Sequence, residues 1–227
     1  MTGELDAHLR SGPQMLQYQA LADDLAARKP GRVLDWGCGY GQVTALLRER
    51  DIDVVPFDYR GDLSEPRVEP LERFPEVQAH LSPYPVALPF DACTFDTVLS
   101  CGVLEHVQDP DGSLDEIRRV LRPGGTFYVT NLPNRYSYTE KGARLLGVYY
   151  HGQLPDDRVY TKRSIERLVE RHGFTVRELR HAHMLPLTLG GPARPIWSAS
   201  RLLERVPGLN TFATSLEVIA QVPEPKR

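Results

Sequence analysis

The stretch Arg32-Val33-Leu34-Asp35-Trp36-Gly37-Cys38-Gly39-Tyr40-Gly41-Gln42 constrains this chain more than any other. An apolar run of strand length enters a loop with glycine at every second position. A helix-compatible segment, Val43-Thr44-Ala45-Leu46-Leu47, follows. Glycine permits sharp turns and close approach of a ligand to the backbone. The spacing is Gly-x-Gly-x-Gly. It differs from the Gly-x-Gly-x-x-Gly of dinucleotide loops, whose helix N-terminus holds a pyrophosphate. Asp35, just ahead of the loop, would repel a pyrophosphate and welcome a positively charged ligand.

The rest of the chain extends this strand–helix alternation. Its 227 residues allow one domain with insertions. Met15, Tyr18, Leu21, Ala22 and Leu25 recur at helical spacing, which predicts a helix over 13–29 stopped by Pro30-Gly31. Strands are predicted at 32–36, 53–58, 77–81, 95–100, 126–131, 174–179 and 215–222. Residues 59–76 hold Pro66, Pro70 and Pro75 and read as loop, with a short turn at 71–74. Ser113-Leu114-Asp115-Glu116 has the form of a capping box that opens a helix. Thr161 and Ser164 are placed to cap another, which His172-Gly173 closes. Strands alternating with helices imply a parallel, doubly wound α/β sheet. Two stretches, 136–160 and 182–213, fall outside that rhythm.

Composition excludes several classes. Net charge is −3, so no global field draws the protein to nucleic acid. The three cysteines, Cys38, Cys93 and Cys101, form no Cys-x-x-Cys pair. They indicate neither a zinc cluster nor a disulfide framework, and they fit a reducing cytoplasm. The N-terminal residues lack a signal pattern. No apolar run approaches the ~18 residues of a membrane span.

Four ordered motifs carry a family resemblance. They are the glycine loop with Asp58 at the end of the second strand; Leu88-Pro89-Phe90-Asp91-Ala92-Cys93-Thr94-Phe95-Asp96-Thr97-Val98; Ser100-Cys101-Gly102-Val103-Leu104-Glu105-His106-Val107; and Leu121-Arg122-Pro123-Gly124-Gly125-Thr126-Phe127. Together they resemble the class I S-adenosylmethionine-dependent methyltransferases over residues 31–132. The resemblance implies a seven-stranded sheet whose last strand is antiparallel and inserted between the fifth and sixth. It implies one methyltransferase domain over 1–227: an N-terminal helical cap (1–30), a cofactor-binding core (31–135), and substrate or lid insertions at 136–160 and 182–213.

The same resemblance implies roles for residues. Asp35 would serve the methionine ammonium, and Gly37, Cys38, Gly39 and Gly41 would give close backbone approach. Asp58, followed by Tyr59, would grip the ribose. Cys101 and Gly102 would lie near the sulfonium. Many members carry an acid before the Leu-Pro-Phe triplet to bind adenine. Here that region reads Ser82-Pro83-Tyr84-Pro85-Val86-Ala87, so adenine would be held by backbone groups, by Ser82, or by packing on Val86 and Leu88.

Methyl transfer needs an aligned acceptor, exclusion of water and, for some acceptors, a base. His106 in Glu105-His106 is the foremost candidate base; the competing reading is that this pair only opens and caps the next helix. His151 is a second candidate base, against a plain loop histidine. Related quinone O-methyltransferases carry an extra Glu three residues before the Glu-His pair and can hold a divalent metal there. Gly102 stands at that position here, so no metal is assigned. Cys101 and Cys38 read as packing residues rather than nucleophiles. His181 and His183 form a His-x-His pair, short of the four ligands a structural zinc site wants.

The acceptor pocket is expected from the N-terminal helix and the two insertions. The first is rich in tyrosine: Tyr136, Tyr138, Tyr149, Tyr150 and Tyr160. The second is apolar, with Met184, Leu185, Leu187, Leu189, Ile196, Trp197, Leu202, Leu203 and Leu209, and reads as core or lid ahead of a dimer surface or a patch for a lipid-like substrate. The leading expectation is transfer to a small-molecule oxygen, with nitrogen second. Ser100-Cys101-Gly102-Val103 lacks the Asn/Asp-Pro-Pro-aromatic motif of amide and adenine N-methylation. The competitors are a nicotinamide-dependent oxidoreductase, a non-catalytic binding module, and a lipid or quinone enzyme touching a membrane peripherally through 182–213. A monomer or homodimer is expected.

Overall fold

The computed structural model describes residues 12–59, 79–147, 157–185 and 193–225. The predicted turn at 71–74 and the candidate base His151 lie outside them. In chain order the elements are α1 (Gly12–Ala27), β1 (Val33–Trp36), α2 (Gln42–Arg48), β2 (Val54–Tyr59) and β3 (His80–Ser82). Then come β4 (Phe95–Cys101), α3 (Pro110–Val120), β5 (Leu121–Pro133), α4 (Tyr138–Leu146) and α5 (Lys162–Arg171). The chain closes with β6 (Thr175–Ala182), α6 (Ala193–Leu203), a 3-10 turn at Leu209–Phe212 and β7 (Ser215–Gln221).

The sheet order is β3-β2-β1-β4-β5-β7-β6. Six strands run in one direction, and β7 alone is reversed, antiparallel to its neighbours β5 and β6. Strand order reverses between β1 and β4, and open sheets of this kind place their ligands at the carboxyl ends beside such a reversal. Alternate strand residues feed two cores. Leu34, Val98, Phe127, Val129 and Val218 pack with Leu114, Ile117 and Val120 of α3 and Ile165 and Val169 of α5. Val33, Leu99, Tyr128 and Ile219 pack on the opposite face with Tyr18, Leu21, Ala22 and Leu25 of α1 and Leu46 and Leu47 of α2. The apolar stripe read in 13–29 is this buried face, apart from half-buried Met15.

Some boundaries differ for local reasons. α3 starts earlier than the Ser113 capping box implied. Asp109 is its N-cap and accepts from the Gly112 N–H, and Pro110 supplies a preset φ in the first turn. Ser113 Oγ instead donates to the Asp109 carbonyl at 2.7 Å. Thr161 does cap α5, in a reciprocal box with Ser164. Such a cap contributes about 1 kcal/mol.

The 182–213 insertion is not wholly core. Met184 is buried, but Leu202, Val206, Leu209 and Phe212 are exposed. Within the other insertion Leu145 and Leu146 of α4 also face outward. The two insertions meet where Tyr138 Oη donates to the Met184 carbonyl and where Lys141 Nζ stands 5.5 Å from the Phe212 ring centre.

Candidate functional site

The glycine loop is stitched to the end of β2. The N–H groups of Gly37 and Cys38 both donate to the Phe57 carbonyl, at 2.8 and 3.0 Å. The Gly41 N–H donates to the Cys38 carbonyl at 2.9 Å, closing a tight turn, and Gly41 becomes the N-cap of α2. Two glycines are required. Gly37 has φ 76°, and a Cβ there would fall 2.4 Å from Val103 Cγ2. Gly39 has φ 50° and opens onto space, with nothing within 4 Å of where a Cβ would be. One glycine therefore lets the loop close on the segment after β4, and the other leaves a cradle for a ligand.

Two carboxylates flank that cradle. Asp58, at the end of β2, accepts from the Gly39 N–H at 3.2 Å through Oδ2 and from the Tyr59 N–H at 2.8 Å through Oδ1. A carboxylate has about four acceptor sites, so two backbone bonds orient it without exhausting it. Tyr59 follows on the exposed side. Asp35 is buried beneath the loop and accepts from Thr44 Oγ1 of α2. Burial pushes its pKa up to about 6; the Thr44 hydrogen bond opposes that shift and the Asp58 charge adds to it. Buried Cys38 is pushed up as a thiol by burial and by both aspartates.

The far wall comes from the ends of β4 and β5. Burial drives the Cys101 thiol well above its ordinary range, helped by the charges of Asp35 and Glu105. Asn131 Nδ2 donates to its sulfur at 3.4 Å. The thiolate is the nucleophilic form of cysteine, so this environment opposes a nucleophilic role. Gly102 has φ 72° and donates its N–H to the Thr130 carbonyl at 3.0 Å. The Glu105-His106 pair sits in the turn after β4 and does not open α3, which starts only at Pro110. Glu105 is buried and the His106 side chain is about half exposed. His106 Nδ1 lies 2.8 Å from Asp157 Oδ1, and its Nε2 lies 3.9 Å from Glu105 Oε1. A carboxylate only accepts, so Nδ1 carries a proton in the bond to Asp157. Asp157 is brought there by Arg158, whose N–H donates to the Glu105 carbonyl at 2.9 Å and whose guanidinium binds the carbonyls of Val107 and Gln108.

At the end of β3, Ser82 is engaged by a local turn. Its Oγ accepts from the Tyr84 N–H and donates to the Tyr84 carbonyl. The Leu88 N–H donates to Glu116 Oε2 at 2.9 Å, and the Leu88 carbonyl accepts from Arg119. Those engagements leave the half-buried Val86 and the buried Leu88 as apolar surface there.

A buried polar cluster lies next to Cys101, and of its members Gln14, Gln17, Asn131 and His183 only His183 stood out in the sequence. Gln14 Nε2 donates to Gln17 Oε1 at 3.0 Å. Gln17 Nε2 donates to Asn131 Oδ1 and stands 2.8 Å from His183 Nε2. The signal was present: Gln14 and Gln17 fall on the apolar face of α1, where a polar side chain needs a partner. Burial, with the charges of Arg201 and Arg180, lowers the His183 pKa to about 3. Burial, with Lys162, lowers His181 to about 4. Among the described residues no three His, Cys, Asp or Glu side chains gather into a metal-binding group. None of the described helices is long and apolar enough to cross a membrane.

Fold and loop define an open α/β sheet with a candidate ligand site at its carboxyl edge, and the comparisons give its family. The profile described as a methyltransferase domain matches residues 12–179. The ubiquinone biosynthesis O-methyltransferase of Aeromonas salmonicida (strain A449) is 28% identical over 162 residues, covering 69% of this chain and 68% of that protein. Across eight curated relatives the aligned part runs from 45% to 74% of the relative's own length, and in most of them it is about half. A Haloferax volcanii methyltransferase, solved in complex with the Trm112 methyltransferase activator, matches with a TM-score of 0.62 at 21% identity, over 98% of this chain and 93% of that one. The Burkholderia thailandensis 1,6-didemethyltoxoflavin-N1-methyltransferase, solved with its namesake compound and S-adenosylhomocysteine, matches with a TM-score of 0.56 at 21% identity, over 92% and 78%. At that identity the solved structures speak for the fold. The chain belongs to the class I S-adenosylmethionine-dependent methyltransferases. It is a methyltransferase whose methyl donor is S-adenosylmethionine.

Proposed function

We propose that this protein moves the methyl group of S-adenosylmethionine to an oxygen of a small-molecule acceptor, and that the loop and acids described above form the cofactor site. The observation that carries the cofactor assignment is the Gly39–Asp58 junction. An open glycine cradle is fastened by its own N–H to a partly exposed carboxylate, with a second carboxylate, Asp35, buried beneath. This acidic cradle fits a ligand that carries an ammonium, a sulfonium and a ribose diol. It does not fit a pyrophosphate.

S-adenosylmethionine, when bound, supplies a methyl group made electrophilic by its sulfonium. The chain's residues then have three tasks. Asp58 binds the ribose hydroxyls, oriented by the N–H groups of Gly39 and Tyr59. Asp35 and the loop backbone of Gly37, Cys38, Gly39 and Gly41 hold the amino-acid end. Val86 and Leu88 pack the adenine, and Cys101 and Gly102 form the wall beside the reacting carbon. His106, its tautomer set by Asp157, removes the acceptor's proton at Nε2. The oriented base favours oxygen, because a hydroxyl must lose its proton to complete transfer. His151 keeps its place as a second candidate base.

Calorimetric titration with S-adenosylhomocysteine, beside NADH and an Asp58→Ala variant, tests the cofactor site. Micromolar nucleoside binding is expected in the wild type, with at least about a tenfold loss in the variant. A folded wild-type protein that takes NADH and ignores the nucleoside would sink this reading.

A further inference from the structure

Two of the strained points in this backbone belong to one hydrogen-bonded cluster. The described non-glycine residues with positive φ are Lys29, Asp51, Cys93, Asn131 and His183. Asn131 and His183, at 62° each, are joined through Gln17. Left-handed backbone at such residues persists only where the surroundings hold it, and it gathers at functional sites. His183 is held firmly. Its N–H donates to Glu204 Oε1 at 2.9 Å, and its carbonyl accepts from the Thr214 N–H and Oγ1 at 2.8 and 2.7 Å. Asn131 sits where β5 breaks register with β7, between Val129 and Leu132, and such bulges re-aim a side chain.

Gln17 and His183 are almost fully buried, whereas Asn131 is half-buried. A cavity of about 160 Å³ behind the trio is lined by Gln17, Thr130, His183 and Trp197 among others. Asn131 does not line it and stands instead beside Gly102, its Cβ 3.8 Å from where a Gly102 Cβ would be. That is the wall assigned above to the reacting carbon. An amide has two donor hydrogens and two acceptor lone pairs. The bonds to Cys101 and Gln17 engage one of each. The remainder matches a group that both donates and accepts, such as a hydroxyl.

We propose that Asn131 is the residue that hydrogen-bonds an uncharged hydroxyl of the methyl acceptor, and that Gln17 and His183 are positioning residues that hold its amide in place. The proposal rests on the cofactor reading above and adds the acceptor's recognition group. The surroundings suit an uncharged ligand: His183 is kept neutral by burial, and the Cys101 thiol is kept protonated. A carboxylate, Glu105, also stands near Gly102, so an ammonium acceptor is the rival that the test must separate.

Three probes of one shape make that separation: benzyl alcohol, benzylammonium and benzoate. Each is titrated into protein loaded with S-adenosylhomocysteine while the Asn131 side-chain amide signals are followed by NMR. Benzyl alcohol should shift those signals and bind at least about tenfold more tightly than either charged probe. Asn131→Asp keeps a residue that tolerates left-handed backbone and should lose at least about tenfold in benzyl alcohol affinity. Gln17→Leu and His183→Phe should weaken it by a similar factor. Nucleoside affinity should stay within about twofold in all three variants, which separates positioning from general damage. Preference for benzylammonium or benzoate, no shift with any probe, or unchanged benzyl alcohol binding in Asn131→Asp would each overturn the proposal. Loss of nucleoside binding by the wild type would overturn the cofactor reading instead, and the probe titrations can be repeated without the nucleoside to keep the two outcomes apart.

Discussion

At the scale of single residues, Asp35 sets stability against its proposed role. Its carboxyl is buried and its pKa is raised to about 6. Below about pH 4 it is protonated in the folded and unfolded chains alike. As pH rises from there to about 6, the unfolded chain ionises this group first, so its contribution to stability falls through that window. The cost is complete above it, on the order of 3 kcal/mol for a shift of about two units. Asp35→Asn should therefore raise the stability of the ligand-free protein at pH 7.5 by about 1–3 kcal/mol, readable as a Tm increase of about 3–8 °C. The same variant should bind S-adenosylmethionine more weakly. In the wild type, affinity for the cationic cofactor should decline as pH drops below about 6, because binding must then displace a proton. Calorimetry from pH 5 to 8 would detect this, and pH-independent affinity would remove Asp35 from the site.

At the scale of elements, α3 and the end of α5 are joined by a charged clasp. His172 Nδ1 meets Asp115 and its Nε2 meets Asp111, each at 2.7 Å. Burial alone would lower the pKa of this histidine, but the hydrogen bonds to the two aspartates outweigh it and raise the value above 6.5. The same contact, with Arg171, holds Asp111 below the usual carboxylate range. The clasp's contribution is present in full below about pH 6.5 and is lost as pH rises through the raised value. Both carboxylates are more than half exposed, so the contribution is modest, about 0.5–1 kcal/mol. Urea unfolding of wild type and His172→Gln should differ by that amount at pH 5.5 and converge by pH 8.5. A difference that does not change with pH would contradict the clasp.

At the scale of the whole molecule, the proposed cofactor site is assembled from elements far apart in sequence. The cradle, Asp58 and Cys101 come from the ends of β1, β2 and β4, and they meet at the carboxyl edge of one sheet. A ligand seated there ties those strands together and binds only the folded state. At a hundredfold excess over its Kd, S-adenosylhomocysteine should add about 2.7 kcal/mol of stability, or about 5–10 °C in Tm. NADH should add nothing measurable. A thermal scan without a nucleoside shift at saturating concentration would contradict a site of this kind.

The glycine loop, the strand–helix alternation and the acids that end β1 and β2 were legible in the sequence, because each is a local signal. Periodicity, turn chemistry and capping act over a few residues and need no partner from elsewhere. The Ser113 box misled for the same local reason: the pattern was present, but Asp109-Pro110 upstream was the stronger start. The fate of the 182–213 insertion was not legible. An apolar residue is buried only if the fold brings a surface to it, and Met184 found one while Leu202 and Phe212 did not. Nor could the sequence show Asp157 behind His106, or Gln17 between Asn131 and His183, since those partners lie 51, 114 and 166 residues apart along the chain. Local chemistry determined the class of fold and the place of the cradle. Only the tertiary structure, by bringing distant polar groups into low-dielectric contact, decided which of them lie together at the carboxyl edge of the sheet.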